Sequence, residues 1–164
     1  MDKPERKNNR IAEFDYASAN YFFVTLCVDK RRKVLSSVCR GDPCGRPVVS
    51  LFPLGKIAEE TFKETERRFG VEFDCRVIMP DHIHFVLIVP PQRATARVAP
   101  TLGQIVGAYK SIVSKKWRDY CRETGTEHFS VWQRNYYEHV IRNRQDLDET
   151  RRYIDNNPSG LLQK

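Results

Sequence analysis

The chain has 164 residues, 40% hydrophobic and 30% charged, which is enough apolar side chain for one core and too much for intrinsic disorder. Twenty-eight Lys and Arg against 21 Asp and Glu leave a formal charge of +7, which favours a polyanionic partner such as nucleic acid. No run approaches the ~18 apolar residues of a membrane span, and Met1–Arg10 is mostly charged or polar, so a cytoplasmic chain with no membrane association is expected.

Tyr21 to Val28 (YFFVTLCV) is rich in aromatic and β-branched residues and reads as a buried strand. Ser36 to Pro53 holds Gly41, Asp42, Pro43, Gly45 and Pro47, turn chemistry that predicts an irregular surface insertion. Leu54 to Phe69 places Leu54, Ile57, Ala58, Thr61, Phe62 and Phe69 on one helical stripe, with Gly70 at its C-terminal cap. Val71 to Met79 and His82 to Val89 flank the turn signal Pro80-Asp81 and predict an antiparallel hairpin. After a loop at Pro90 to Pro100, Thr101 and Gln104 have the spacing of a capping box. The helix behind it carries Leu102, Ile105, Val106, Tyr109, Ile112, Val113 and Trp117 at helical intervals. Tyr136 to Ile141 reads as a strand, and Asn143 caps a last helix with Asp146, Asp148 and Glu149 in its early turns. Pro158 is expected to end that helix.

The order β, insertion, α, β, β, α, β, α predicts a single α+β domain over residues 1–164. Its expected architecture is a ferredoxin-like antiparallel sheet with helices packed on one face, plus the C-terminal helix. The five cysteines (27, 39, 44, 75 and 121) are irregularly spaced with no CxxC pair, which argues against a zinc ribbon or a dithiol redox site. Cys27 and Cys75 lie in apolar runs and read as small core residues; Cys39 and Cys44 share a loop but stay reduced in a cytoplasmic chain.

Three segments could carry chemistry. In Pro80-Asp81-His82-Ile83-His84-Phe85 the two histidines point to one strand face while Ile83 and Phe85 point to the other. Two imidazoles so placed can share a divalent metal, or can be an unliganded pair. In Tyr153-Ile154-Asp155-Asn156-Asn157-Pro158, Tyr153 and Asn157 lie one helical turn apart. An amide oxygen suits Mg²⁺ or Mn²⁺, and a phenol beside a phosphate can be a nucleophile. The plain reading is a packed tyrosine and an ordinary helix exit. In Val131 to His139, Trp132, Arg134 and Tyr136 could stack on bases or hold phosphates, although core packing is the commoner use of such aromatics. Lys110, Lys115, Lys116 and Arg118 form a basic helix face that suits either a DNA backbone or solvent.

Taken together, Met79-Pro80-Asp81-His82-Ile83-His84, Val131-Trp132-Gln133-Arg134, His139-Val140-Ile141-Arg142-Asn143 and Tyr153-Ile154-Asp155-Asn156-Asn157-Pro158 resemble the signature of the REP-associated tyrosine transposases. These are single-tyrosine HUH enzymes. The resemblance runs from about Tyr21 to Gly160, leaving out the insertion. It implies that His82 and His84, with Asn157, bind Mg²⁺ or Mn²⁺, and that Tyr153 attacks the scissile phosphate to form a 5′-phosphotyrosine link. It further implies a single-stranded DNA partner bearing palindromic hairpins, nucleoid association when bound, and rejoining without ATP; monomer and homodimer both stay open. The chain has no GxxxxGK[ST] loop, in keeping with ATP-free exchange. Neutral histidines are needed for ligation, so activity is expected to fall below pH ~6. Two other classes compete: a non-catalytic hairpin-binding module and a nuclease that uses water.

Overall fold

The computed structural model describes residues 20–41, 47–90 and 100–162. Its elements are β1 (Asn20–Cys27), β2 (Ser36–Arg40), β3 (Pro47–Leu51), α1 (Pro53–Phe69), β4 (Glu72–Ile78), β5 (His82–Val89), α2 (Leu102–Thr124), β6 (Tyr137–Ile141) and α3 (Arg144–Leu162). Four strands form one antiparallel sheet in the order β4-β5-β1-β6. This is the α+β split βαβ arrangement read from the sequence.

Strand alternation divides the protein into two layers around the sheet. Phe22, Val24 and Leu26 of β1 and Ile83, Phe85 and Leu87 of β5 are buried in one large cluster with residues of α1 and α2. At its centre Phe62 of α1 stacks on Tyr109 of α2 at 4.7 Å, and the buried Tyr109 hydroxyl donates to the Ala58 carbonyl at 3.0 Å. The other sheet face is covered by α3 through a smaller cluster of Val86, Ile141 and Ile154, with Phe23, Val77 and Leu147 against it. The two crossover helices therefore share one face, as expected, while the last helix lies on the opposite one.

Local signals hold well at the helix ends. Thr101 and Gln104 form the predicted capping box, with bonds of 2.9 and 3.2 Å. Gly70 closes α1 in the left-handed region at φ 64°. Asn143 Oδ1 accepts from the Asp146 amide at 2.9 Å and caps α3.

Three expectations fail. The Ser36 to Pro53 insertion is not irregular: β2 and β3 pair as a hairpin with Val38 opposite Val49. Residues 42–46, Cys44 among them, lie outside the described residues, as does most of the predicted 90–100 loop. Pro158 does not end α3, which continues to Leu162. A proline inside a helix removes one hydrogen bond and crowds the carbonyl four residues back, a local cost of ~3 kcal/mol. Here Pro158 is buried and α3 packs against the β2–β3 hairpin, so tertiary contact overrides the local rule. Cys27 and Cys75 are half-buried rather than core, and burial followed by the nearby Asp74 and Asp155 charges pushes the Cys75 thiol up to about 11.

Gly55 in α1 reports how tightly the hairpin entry is packed. A Cβ at this position would overlap the Leu35 carbonyl oxygen, which already accepts from the Phe52 amide at 2.9 Å. Gly55→Ala is expected to destabilise the fold by roughly 2–3 kcal/mol through overpacking against backbone. Gly107→Ala in α2, where a Cβ meets nothing within 4 Å, should instead stabilise by about 0.5–1 kcal/mol. Urea melts of the two variants check both signs.

Candidate active site

β5 carries His82 and His84 on the α3 face, because Ile83 and Phe85 between and beyond them are fixed in the main core. Strand register places Thr25 opposite His84 and Cys27 opposite His82. Thr25 Oγ1 bonds His84 Nδ1 at 2.8 Å, and Asp81 Oδ1 bonds His82 Nδ1 at 2.6 Å. A carboxylate only accepts, so His82 donates from Nδ1, and in the neutral ring Nε2 is the atom with a lone pair for a metal. The two rings lie 4.5 Å apart.

α3 brings Tyr153 to the same place. Its ring meets His84 edge-on at 5.3 Å and Phe23 at 5.9 Å, while Phe23 stacks on His84 at 5.4 Å. Tyr153 is 54% exposed, whereas His84 is 5% exposed. Burial, then the His82 and Arg31 charges, lower the His84 pKa to about 3, against a smaller opposing pull from Asp81. His84 is therefore neutral throughout the physiological range. An open cleft of about 470 Å³ joins Phe23, Thr25, His84, Tyr137, Glu149 and Tyr153. Asn157 is half-buried one turn beyond Tyr153, and neither Asn157 nor His82 lines this cleft.

The donor set can hold a divalent ion: two imidazoles on one rigid strand, each oriented through Nδ1, with the neighbouring helix offering an amide whose oxygen suits a hard ion such as Mg²⁺ or Mn²⁺. Among the described residues, no group of three or more His, Cys, Asp or Glu side chains is placed to hold a metal. Any bound ion would thus depend on this histidine pair and on oxygen donors from an amide, water or substrate.

The segments that position the site are clasped at several points. Asp146 accepts from His139 Nε2 at 3.0 Å and from the Arg142 amide at 3.2 Å, joining the end of β6 to the first turn of α3. Arg151 grips Asp74 of β4 with two bonds of 2.7 and 2.8 Å, and this partner holds the Asp74 carboxyl below its ordinary range. Behind His82, Arg31 Nε reaches Asp81 Oδ2 at 2.9 Å. Arg31 and its neighbour Lys30 are the described non-glycine residues with positive φ, at 53° and 56°, each costing roughly 1–2 kcal/mol.

The candidate DNA-contacting residues do not gather at the cleft. Lys110, Lys115, Lys116 and Arg118 belong to α2, on the far side of the sheet from Tyr153. Lys110 donates to the carbonyls of Gln133 and Arg134 at 2.7 and 3.1 Å, and burial lowers its pKa. Lys116 pairs with Glu64 at 2.7 Å; Lys115 and Arg118 are exposed. Trp132 is 8% exposed and packs near Tyr109, so the expectation that it stacks on bases gives way to a core role. Tyr136 is half-buried against the same core, and Arg134 is exposed. A second cleft of about 390 Å³, which the sequence did not reveal, lies at the start of α3 and carries Tyr21, Arg142, Arg144 and Arg151.

No helix among the described residues is long and apolar enough to cross a membrane. Residues 16–157 match the family described as "Transposase IS200 like". An uncharacterised protein of Haemophilus influenzae is 27% identical over 172 residues, a match covering 93% of this chain and 88% of that protein. A second Haemophilus influenzae protein, provisionally named a REP-associated tyrosine transposase, is 31% identical over 101 residues, 59% of this chain and 54% of that protein. Among solved structures, a REP-associated tyrosine transposase bound to a REP hairpin shares the fold with a TM-score of 0.57 and 17% identity, over 92% of this chain and 73% of that one. A provisionally named transposase from Deinococcus radiodurans superposes with a TM-score of 0.51 and 15% identity, over 90% of this chain and 95% of that one. With the four motifs in order and the family match spanning most of its length, the chain belongs to the IS200-like transposases.

Proposed function

We propose that the chain is a metal-dependent single-stranded DNA transesterase acting beside hairpin-forming repeats, with Tyr153 as nucleophile and His82, His84 and Asn157 as ligands for Mg²⁺ or Mn²⁺. The observation that carries this reading is the edge contact of the exposed Tyr153 ring with neutral, oriented His84 on a single cleft wall. The similar structure bound to a REP hairpin supports the choice of DNA.

The reaction asks little of side-chain acids and bases; positioning and charge matter most. Tyr153 Oη bonds the phosphorus, the bond from phosphorus to the 3′-oxygen breaks, and that oxygen takes up a proton. The phenol proton passes to the water that reaches this exposed ring. The 5′-phosphate stays on Tyr153 until the 3′-hydroxyl of another strand attacks and restores the phenol. One phosphodiester is exchanged for another, so no external energy source is consumed. When bound, the divalent ion supplies positive charge at the scissile phosphate. Phe23, packed on both His84 and Tyr153, keeps the nucleophile and the ligand wall at a fixed separation. Arg142 and Arg144, at the second cleft on the α3 side, are better placed as phosphate contacts than Lys110 or Lys116, whose charges are already engaged.

Incubation with Mn²⁺ or Mg²⁺ and a labelled single-stranded hairpin oligonucleotide is expected to give a covalent protein–DNA band on a denaturing gel that EDTA abolishes. Cleavage without that band would mean that water is the nucleophile. Tight binding with no cleavage would favour a non-catalytic hairpin-binding module.

A further inference from the structure

We infer that Arg31 is a positioning residue for His82, acting through Asp81 from a strained turn built for that purpose; this rests on the metal reading of the histidine pair. Arg31 is not in any of the four sequence motifs, and it reaches both residues that flank His82. Its Nε pairs with Asp81 Oδ2 at 2.9 Å, and its Nη1 donates to the sulfur of Cys27, the β1 residue directly opposite His82, at 2.9 Å. Asp81 uses its other oxygen on His82 Nδ1. The carboxylate is thereby held from both sides, and the His82 ring has one favoured tautomer and one favoured orientation.

Backbone conformation points the same way. Two consecutive non-glycine residues, Lys30 and Arg31, take left-handed geometry in the turn that follows β1, a conformation that persists only when its surroundings enforce it. The enforcement is visible. The Val28 amide bonds the Asp81 carbonyl at 2.9 Å, the Asp29 amide bonds the Val131 carbonyl at 2.9 Å, and the Gln133 amide bonds the Cys27 carbonyl at 2.9 Å. The turn is thus pinned between the β4–β5 turn and the Val131–Gln133 segment. A pair as exposed as Arg31–Asp81, with the Arg31 side chain 51% accessible, adds little to stability. Its effect is to direct Asp81.

The test compares wild type, Arg31→Ala, Arg31→Lys, Lys30→Gly and His84→Ala without DNA, by Mn²⁺ titration calorimetry and by ring ¹⁵N spectra of His82 in the metal-free protein. Arg31→Ala is expected to weaken Mn²⁺ binding about 10- to 100-fold and to move His82 away from a single Nδ1–H tautomer. Arg31→Lys should recover part of both, because an ammonium can still meet Asp81. Lys30→Gly, which relieves strain but keeps Arg31, should raise Tm and hold Mn²⁺ affinity within about twofold of wild type. Wild-type Mn²⁺ affinity and an unchanged His82 spectrum in Arg31→Ala would overturn the assignment. Wild-type Mn²⁺ binding that ignores His84→Ala would instead overturn the metal reading, and the His82 spectrum would then decide the role of Arg31 by itself.

Discussion

Tyr153→Phe is expected to eliminate the covalent DNA adduct and to lower strand transfer by about 10³-fold or more, while leaving the fold intact. The substitution removes one oxygen and keeps the packing. Tyr153 meets Phe23 and His84 through ring edges, and phenylalanine retains both contacts. More than half of the side chain faces solvent, so loss of the hydroxyl leaves no buried polar atom unsatisfied, and stability should change by less than about 0.5 kcal/mol. DNA affinity should also survive, because the phenol is one group among many contacts. A gel for the adduct, single-turnover cleavage and a thermal melt measure these separately. An adduct that persists in the phenylalanine variant would move the nucleophile elsewhere; residual cleavage at the wild-type rate would mean that Tyr153 only packs.

Periodicity makes most of the scaffold legible in the amino-acid sequence. Phe22, Val24 and Leu26 of β1 and the odd residues of β5 fall in the main core, and the helix caps at Gly70, Thr101 and Asn143 are where the chemistry of those residues predicts them. The expectations that fail are those decided by distant packing. Pro158 obeys no local rule once it is buried, and the glycines and prolines after Ser36 say "turn" without saying that the flanking residues pair. The site shows the same division. Spacing alone places His82 and His84 on one face, but Thr25 is connected to His84 only through strand register, 59 positions away. Asp81 reads in the sequence only as a turn former, and its grip on His82 depends on the geometry of that turn. The basic face of α2 is readable as charge; which side of the sheet it occupies is not. Lys110 shows why such a face is an uncertain guide, since its ammonium serves two backbone carbonyls.

His84 should also leave a measurable signature in the metal-free protein. In the unfolded chain a histidine takes up a proton near pH ~6.5. In the fold, burial and the neighbouring His82 and Arg31 charges hold His84 neutral until about pH 3. Between those values the unfolded state binds the extra proton, so stability is highest above pH ~6.5 and declines as pH falls. The slope for one such group approaches about 1.4 kcal/mol per pH unit well below pH ~6.5, which integrates to about 2 kcal/mol between pH ~6.5 and ~4.5. Below that window carboxylates join in, Asp74 in the same direction because Arg151 lowers its pKa. Urea melts of the wild type across the window should show this decline, and His84→Gln, which cannot titrate, should flatten it by most of that amount. An equal slope in both proteins would show that His84 protonates in the fold as it does in the unfolded chain. The expected slope also changes the reading of acid inactivation: His84 keeps its lone pair at pH 5, so a loss of activity below pH ~6 must begin at another group or in the declining stability of the fold itself.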